Sequence, residues 1–455
     1  MEDNPSDPDR ESTSADKTDS QPKPKQPKPR EVTSFIGSGG LIGEITFDKA
    51  RQPQVQFEVW KDGGEVAVQR DHWPLADGNR LVPPADKRGL IAKGVVLLPS
   101  CAAEYGAQAD LVREIIAFIH RYADVPPFWE ELMAHYVLMT WVFDRFTAVP
   151  YLRFLGEPQS GKTRCLQVAG QLCYKSIIAG GATTPAPLFR LLEVYRGTFV
   201  LDEADYHHSD LSSEIIKILN CGYMRGLPVL RAEKSGDNYE PRPFDVFGPK
   251  ILTTRKEFAD HALETRCLTL RTGDRKVRPY IPRQLPRAFF VEALALRNKL
   301  LRWRFDDFLR IQSDESQLLA LEPRLTQIGA PLYSVSTDDG FRARLVTYLE
   351  ELAEDHAGER PNAMVAEAIR QLLVNTPKLP ATLTIKAVCD KANEIRVDWE
   401  TDVEEFTHKR SGGLVRSLGF ESRRSNTGFR FTVTKAQLAD LVARYPPKFP
   451  QGSQP

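Results

Sequence analysis

The sequence predicts an α/β protein: a three-layer core with a largely parallel sheet over residues 149–275, a small β-rich module before it and a compact helix-and-hairpin unit after it. Three observations lead there. Buried strand-like runs (Tyr151–Leu155, Thr198–Leu201, Lys250–Thr254) alternate with helical segments after Lys162 and over Ser212–Leu219. Short β-favouring runs punctuated by turn residues fill the stretch before the core. Apolar residues recur at helical spacing in the segments that flank it.

Residues 1–34 contain no aromatic side chain and almost nothing aliphatic, so they cannot offset their ordering entropy and are expected to form a disordered tail. The basic proline-rich run Lys23–Arg30 reads as a solvated, extended leader. Residues 35–107 make the β-rich module, with runs at Leu41–Phe47, Val55–Trp60, Glu65–Gln69 and Gly94–Leu98, broken by Asp62-Gly63-Gly64 and Asp77-Gly78. Residues 108–148 form a helical linker: Leu111, Ile115, Phe118 and Ile119 share a face in Asp110–Tyr122, and Leu132, Tyr136, Met139 and Phe143 do so in Phe128–Phe146. After the core, residues 276–380 read as a helical region, with helices over 284–310 and 341–374. Residues 381–446 read as helix (Thr384–Asn393), helix (Val403–Leu418), two strands (Phe420–Arg424, Gly428–Thr434) around Ser425-Asn426-Thr427-Gly428, and helix (Ala436–Tyr445). That order suggests a winged helix, and 447–455 is a tail.

Composition sets the outer limits. The 455 residues carry 61 basic and 61 acidic side chains, and 41% hydrophobic residues suffice for real cores. The longest apolar run, Leu132–Phe143, contains His135 and falls short of the roughly 20 residues that span a bilayer, so no membrane partner is expected. The acidic, proline-rich N-terminus is no secretory signal, which points to the cytoplasm. Six scattered cysteines without a C-x-x-C pair offer neither a zinc framework nor a disulfide scaffold, and all six are expected reduced.

The chemistry begins where Tyr151–Leu155 runs into Gly156-Glu157-Pro158-Gln159-Ser160-Gly161-Lys162-Thr163 and then a helix. This is the G-x-x-x-x-G-K-[ST] phosphate loop in its strand–loop–helix setting. Glycines let backbone N–H groups turn around phosphates, Lys162 reaches the β- and γ-oxygens of ATP, Thr163 ligates Mg²⁺, and the helix N-terminus adds its dipole. Gly156 to Thr163, with Arg164 behind them, form the expected ATP-binding segment. Downstream, Thr198-Phe199-Val200-Leu201 leads into Asp202-Glu203: Asp202 is expected to hold the Mg²⁺ and Glu203 to polarise the attacking water. Residues 202–205 spell Asp-Glu-Ala-Asp, but one phosphate loop and no second core exclude a DEAD-box RNA helicase.

The order of these motifs from Phe154 to Leu270 resembles the AAA+ core, and more narrowly the superfamily 3 and MCM-like replicative helicases of phages, plasmids and integrative mobile elements. That resemblance implies further roles. The strand Lys250–Thr254 stands at sensor 1, with Thr254 assigned to the γ-phosphate and Thr253 open beside it, since the family commonly has Asn there. Asp260-His261-Ala262-Leu263-Glu264-Thr265-Arg266 is similar to the segment whose arginine enters the neighbouring subunit's site, which makes Arg266 an expected finger and the assembly a ring, a hexamer. Residues Val229 to Arg242 stand where the relatives carry a pre-sensor hairpin; Arg231 and Lys234 would grip the DNA backbone there, while an ordinary exposed hairpin is the competing reading.

In the C-terminal unit Lys409, Arg410, Arg416, Arg423, Arg424, Arg430 and Lys435 oppose only Glu421, a net +6 over 409–435, and the first six are the expected DNA contacts. Residues 271–310, with 11 bases and 4 acids, form a second basic segment expected near nucleic acid, and 338–408, with 15 acids and 8 bases, balance the total. The sequence therefore reads as an ATP- and Mg²⁺-dependent ring helicase or translocase on single-stranded or forked DNA, in the replication of a mobile element. No primase motif is recognisable, so priming would need a separate protein. The alternative is a nucleotide-switched, DNA-binding initiator or regulator that does not unwind. His207-His208 reads as a surface pair.

Overall fold

The computed structural model describes residues 29–445, apart from 62–63, 65–67, 181–182, 205–209, 236–237, 259, 274–276, 360, 375–377, 400–402, 404 and 426–427. Most of the expected N-terminal tail, the C-terminal tail, His207-His208 and the two hairpin tips lie outside the described residues.

Seven short strands open the described chain: β1 (Arg30–Glu31), β2 (Ser34–Gly37), β3 (Leu41–Phe47), β4 (Val55–Lys61), β5 (Val68–Arg70), β6 (Trp73–Pro74) and β7 (Arg80–Val82). Strands β2-β3-β4-β5 form an antiparallel sheet, and in a second sheet β7 pairs with β1 in parallel and with β6 antiparallel. Gly43 in β3 is required because the ring of Phe35 lies over it; a Cβ there would sit 2.2 Å from the ring. The run Gly94–Leu98, read as a strand from its composition, makes a single bridge, Val96 to Ile177. It is an edge companion to the central sheet: Leu97 N–H donates to Ser176 O and Ile178 N–H to Val95 O.

Helix α1 (Gln108–Tyr122) buries Leu111, Ile115, Phe118, Ile119 and Tyr122 along one face. Helix α2 (Pro127–Trp141) starts with proline at its first turn and is buried on nearly every side. It stops at Trp141, and a 3-10 turn at Phe143–Arg145 replaces the last turn that the apolar spacing predicts.

The central block follows: β8 (Tyr151–Leu155), α3 (Lys162–Gly170), β9 (Ile177–Ala179), α4 (Pro185–Tyr195), β10 (Phe199–Leu201), α5 (Asp210–Cys221), the hairpin β11 (Val229–Ser235) and β12 (Asn238–Phe244), β13 (Lys250–Thr254), α6 (His261–Glu264) and β14 (Cys267–Arg271). Five strands pair in parallel in the order β14-β8-β13-β10-β9. Alternation along each strand feeds two cores. Leu152, Phe154, Val200, Ile251, Leu268 and Leu270 join α1 and α2 on one face, while Tyr151, Phe199, Leu201, Leu252 and Cys267 face the other with α4, α5 and the N-terminal strands. These are the three layers that the alternating pattern predicts; β9 and β14 are absent from that reading, the first because three residues are too few to stand out.

Helices α7 (Arg287–Asp307), α8 (Pro323–Val335), α9 (Asp339–Glu359) and α10 (Pro361–Val374) complete the helical region. The first three pack with α1 and α2. By contrast α10 contributes Met364, Val365, Ile369 and Leu373 to the core of the C-terminal unit. That unit comprises β15 (Ala381–Thr384), α11 (Ile385–Asp398), α12 (His408–Ser417), β16 (Ser422–Ser425), β17 (Gly428–Val433) and α13 (Lys435–Arg444), with an antiparallel sheet in the order β15-β17-β16. Threonines start all three helices: Thr384, Thr407 and Thr434 accept from the backbone N–H groups of Ala387, Arg410 and Gln437.

The basic segment 271–310 is internal wiring in the main. Arg271 pairs with Glu257, Arg278 with Asp124 and Glu130, Lys299 with Glu114, and Arg302 with Glu104 and Asp306. Arg304 is 1% exposed between Glu44 and Asp144, and buried Arg297 donates to the carbonyls of Leu98 and Gln171. The expectation that this segment faces nucleic acid is corrected for Arg297 and Arg304, which are buried and held within the chain. Among the described residues no helix is long and apolar enough to cross a membrane. All six cysteines carry free thiols.

Candidate functional site

In parallel α/β sheets ligand sites form beyond the carboxyl ends of the strands. Here β8, β10, β13 and β14 all end on one edge, because the register sets Leu155 beside Thr254 and Arg271, and Leu201 beside Leu252. The phosphate loop, the acidic pair and the threonines of β13 are thereby gathered on that edge.

The loop takes its shape from its residues. Gly156 donates its N–H to Thr254 O at 3.1 Å, and a Cβ there would come within 2.5 Å of Thr272 Oγ1 and 2.6 Å of Ser160 Oγ. Gln159 (φ 70°) and Gly161 (φ 92°) take left-handed conformations that turn the chain into α3. No side chain caps α3, which leaves its first N–H groups open to an anion, as helix N-termini favour. Lys162 is buried and donates from Nζ to Glu157 O at 3.1 Å. Pro158 lies within the same turn. Arg164 points elsewhere: its guanidinium donates to the carbonyls of Tyr122, Pro282 and Arg283, bracing the chain after the sheet.

Asp202 is the meeting point. Its Oδ1 accepts from Thr163 Oγ1 at 3.2 Å and from Thr253 Oγ1 at 2.6 Å. Glu203 has φ 57°; its N–H donates to Thr253 Oγ1 at 2.7 Å, and its exposed carboxylate lies 3.5 Å from Arg255 Nη2. Thr253, held open beside Thr254 in the sequence reading, thus carries the contacts to both acids. Thr254 is buried, and its hydroxyl finds no hydrogen-bond partner among the described residues. Two hydroxyls and a carboxylate form a hard-oxygen set of the kind Mg²⁺ takes, so Thr163 and Asp202 fit the ion expected there.

Sequence reasoning missed the segment that follows β14. Thr272 donates its N–H to Leu155 O, and its hydroxyl lies 2.7 Å from Ser160 Oγ. Beside it, next to the phosphate loop, opens a cavity of about 270 Å³ lined by apolar Leu270, Val277 and Ile281 together with charged Asp124, Arg271 and Arg283. Arg278 pins this segment through Asp124, Glu130 and Ala123 O. The sole sequence signal was a Thr-Gly pair at a strand end.

Arg266 lies on the opposite edge. Its carbonyl accepts from Tyr151 N–H, and Cys267 is level with Tyr151 while Arg271 is level with Leu155. Five strand residues, about 16 Å, separate it from its own phosphate loop. Its guanidinium donates to Asn220 Oδ1 at 2.5 Å and lies 4.3 Å from the centre of the Tyr223 ring. Arg324 lies 4.5 Å from the same ring. Burial raises the Tyr223 phenol, but hydrogen bonds and charge from Arg324 and Arg266 hold it below its ordinary value. Glu264 grips Arg153 of β8 and so anchors the turn that carries Arg266.

The β11–β12 hairpin divides the two cations assigned to it. Arg231 is drawn to the base, 4.5 Å from the Phe189 ring centre and 3.6 Å from Glu214. Lys234 is exposed near the tip, directly opposite Tyr239, which is also exposed. In the C-terminal unit Lys409 and Arg416 are exposed on α12, and Arg410 lies over the Phe406 ring. Across the hairpin Arg423 faces Arg430, and Arg424 faces Phe429. Cys389, Asp390 and His408 also bring three donor atoms within 4.8 Å of one another, a grouping that the linear spacing hides.

No family model matches the chain, and no curated protein matches it. Among solved structures it is similar to the apo A form of the NrS-1 C-terminal region, at TM-score 0.35 and 10% identity over 87% of this chain and 96% of that one. It is also similar to JCV helicase, at TM-score 0.27 and 17% identity, over 54% of this chain and 61% of that one.

Proposed function

We propose that this chain is an ATP-driven DNA helicase or translocase that works as a ring, a hexamer, in the replication of a mobile genetic element. The observation that carries the reading is the convergence of Thr163, Asp202 and Thr253 beside the uncapped start of α3. In this reading Lys162 and the backbone N–H groups of Gly161, Lys162 and Thr163 hold the phosphates, and Thr163 and Asp202 hold the Mg²⁺. Bound there, the ion would neutralise charge on the phosphates. Glu203 orients the attacking water, and Thr253 fixes both acids.

Arg266 is buried against Asn220 and Tyr223 at the far edge from its own loop, so its use as a finger requires both a second subunit and release from these contacts. Lys234 at the hairpin tip, with Arg231 at its base, acts on single-stranded DNA, and the C-terminal unit, taken as a winged helix, holds DNA through Lys409, Arg410, Arg416, Arg423, Arg424 and Arg430. A separate primase would supply primers.

The test is ATP hydrolysis and strand displacement on forked DNA. DNA-stimulated hydrolysis and displacement, both lost in Lys162→Ala, are expected. Nucleotide-dependent DNA binding with no displacement on any fork would instead make the chain an initiator or regulator.

A further inference from the structure

The cleft between α12 and the β16–β17 hairpin plays no part in the nucleotide chemistry, yet at about 540 Å³ it lies within the range of roughly 300–1,000 Å³ usual for ligand pockets. Lys386, Lys409 and Arg416 bring positive charge to its lining, His408 adds an imidazole, and no carboxylate lines it. Phe429, 51% exposed, stands at the hairpin end with its ring unburied. Gly412 lines the cleft from α12. A Cβ on Gly412 would meet nothing closer than 3.8 Å, so neither packing nor backbone demands glycine there. Glycine inside a helix weakens it, and the effect of this one is to leave the cleft open.

We propose that this cleft binds an unpaired nucleotide of single-stranded DNA, with the base against Phe429 and the adjoining phosphates on Lys386, Lys409 and Arg416. The inference rests on the DNA-directed reading of the C-terminal unit and specifies its substrate. Cations without a carboxylate select a polyanion. An exposed aromatic ring in a concave site selects a free base face, which a duplex keeps stacked and single strands offer. A protruding helix for a major groove would need no such cavity.

The experiment uses the full chain without nucleotide, carrying Arg231→Ala and Lys234→Ala to silence the core hairpin, with an oligothymidine and a blunt duplex of equal length as probes in fluorescence anisotropy. Phe429→Ala should weaken oligothymidine binding roughly ten-fold or more and leave duplex binding within about two-fold, and Phe429→Trp should restore it. Gly412→Leu, which fills the cleft and removes no charge, should act as Phe429→Ala does, with thermal unfolding showing that the unit remains folded. Lys409→Ala with Arg416→Ala should weaken oligothymidine binding and flatten its salt dependence. If Phe429→Ala and Gly412→Leu bind oligothymidine as the parent does while the charge variant fails, the single-strand proposal is overturned and the DNA reading survives. If the charge variant binds both probes undiminished, the DNA reading of this unit falls with it.

Discussion

Thr253 donates its hydroxyl hydrogen to Oδ1 of Asp202 across 2.6 Å and accepts the Glu203 N–H at 2.7 Å, so one threonine on β13 fixes both acids at the end of β10. Its neighbour Thr254 is buried and has no such contact. Removing the Thr253 hydroxyl releases the Asp202 carboxylate without changing local volume. Thr253→Val is therefore expected to lower ATP turnover by about 10- to 100-fold, the usual loss when a group orienting a metal ligand is removed. Thr254→Val should fall by less. Steady-state hydrolysis beside nucleotide affinity checks this, and equal losses in both variants would return the sensor role to Thr254.

Arg266 and its own phosphate loop lie on opposite edges of the sheet, which makes the finger testable by mixing. Lys162→Ala and Arg266→Ala chains should each be nearly inactive, because a finger contributes roughly 10³–10⁵ in rate. Mixed together they create interfaces that pair an intact Lys162 with an intact Arg266, and hydrolysis should reappear. Failure of the mixture to recover activity, with assembly of both variants verified by sedimentation, would count against action between subunits.

The buried Glu44 links distant segments: Arg304 Nε and Lys175 Nζ each lie 2.8 Å from its carboxylate, and Tyr174 donates to it at 2.7 Å. Removing Arg304 leaves Glu44 with Lys175 and Tyr174 and takes the guanidinium from Asp144, so Arg304→Met should destabilise the chain by about 2–4 kcal/mol, less than a fully stranded charge would cost. Urea unfolding measures the loss. A shift below 1 kcal/mol would mean that water reaches Glu44 once Arg304 is gone.

His135 lies in α2 with Nδ1 2.9 Å from Glu131 O and its ring stacked on Phe341, and burial pushes its pKa down to about 4. Between pH 6.5 and about 4 the unfolded chain takes up a proton that the native chain refuses, so stability is full above pH 6.5 and falls on acidification through that window. The shift corresponds to about 3 kcal/mol. His135→Gln should flatten this slope when unfolding midpoints are compared at pH 7 and pH 4.5; an unchanged slope would place the acid sensitivity elsewhere.

Much of the site was legible in the sequence because its parts are local. Gly156 to Thr163 and the run Thr198 to Glu203 are each contiguous, and each declares a strand, a turn and a chemical group at fixed offsets. The alternation of Leu152 and Phe154 with Tyr151, and of Ile251 with Leu252, announces strands buried on two sides. The cap at Thr407 went unread, so the helix expected from Val403 begins at His408. What the spacing does not announce is the reach of Arg164, whose length takes it to the carbonyls of Pro282 and Arg283.

The phosphate loop and the acidic strand end were settled by sequence alone, because each follows from spacing within one segment. Tertiary structure decided which of two adjacent threonines meets Asp202, since neighbours on a strand point to opposite faces and register alone selects the face. It decided that Arg266 stands at the far edge from its own loop, since parallel pairing aligns Cys267 with Tyr151. It also decided the fate of the positive charge in 271–310, where Arg304 meets Glu44 across 260 positions of chain. A count of charges along a segment says nothing of its partners; Coulomb energy depends on distance in space, and folding sets that distance.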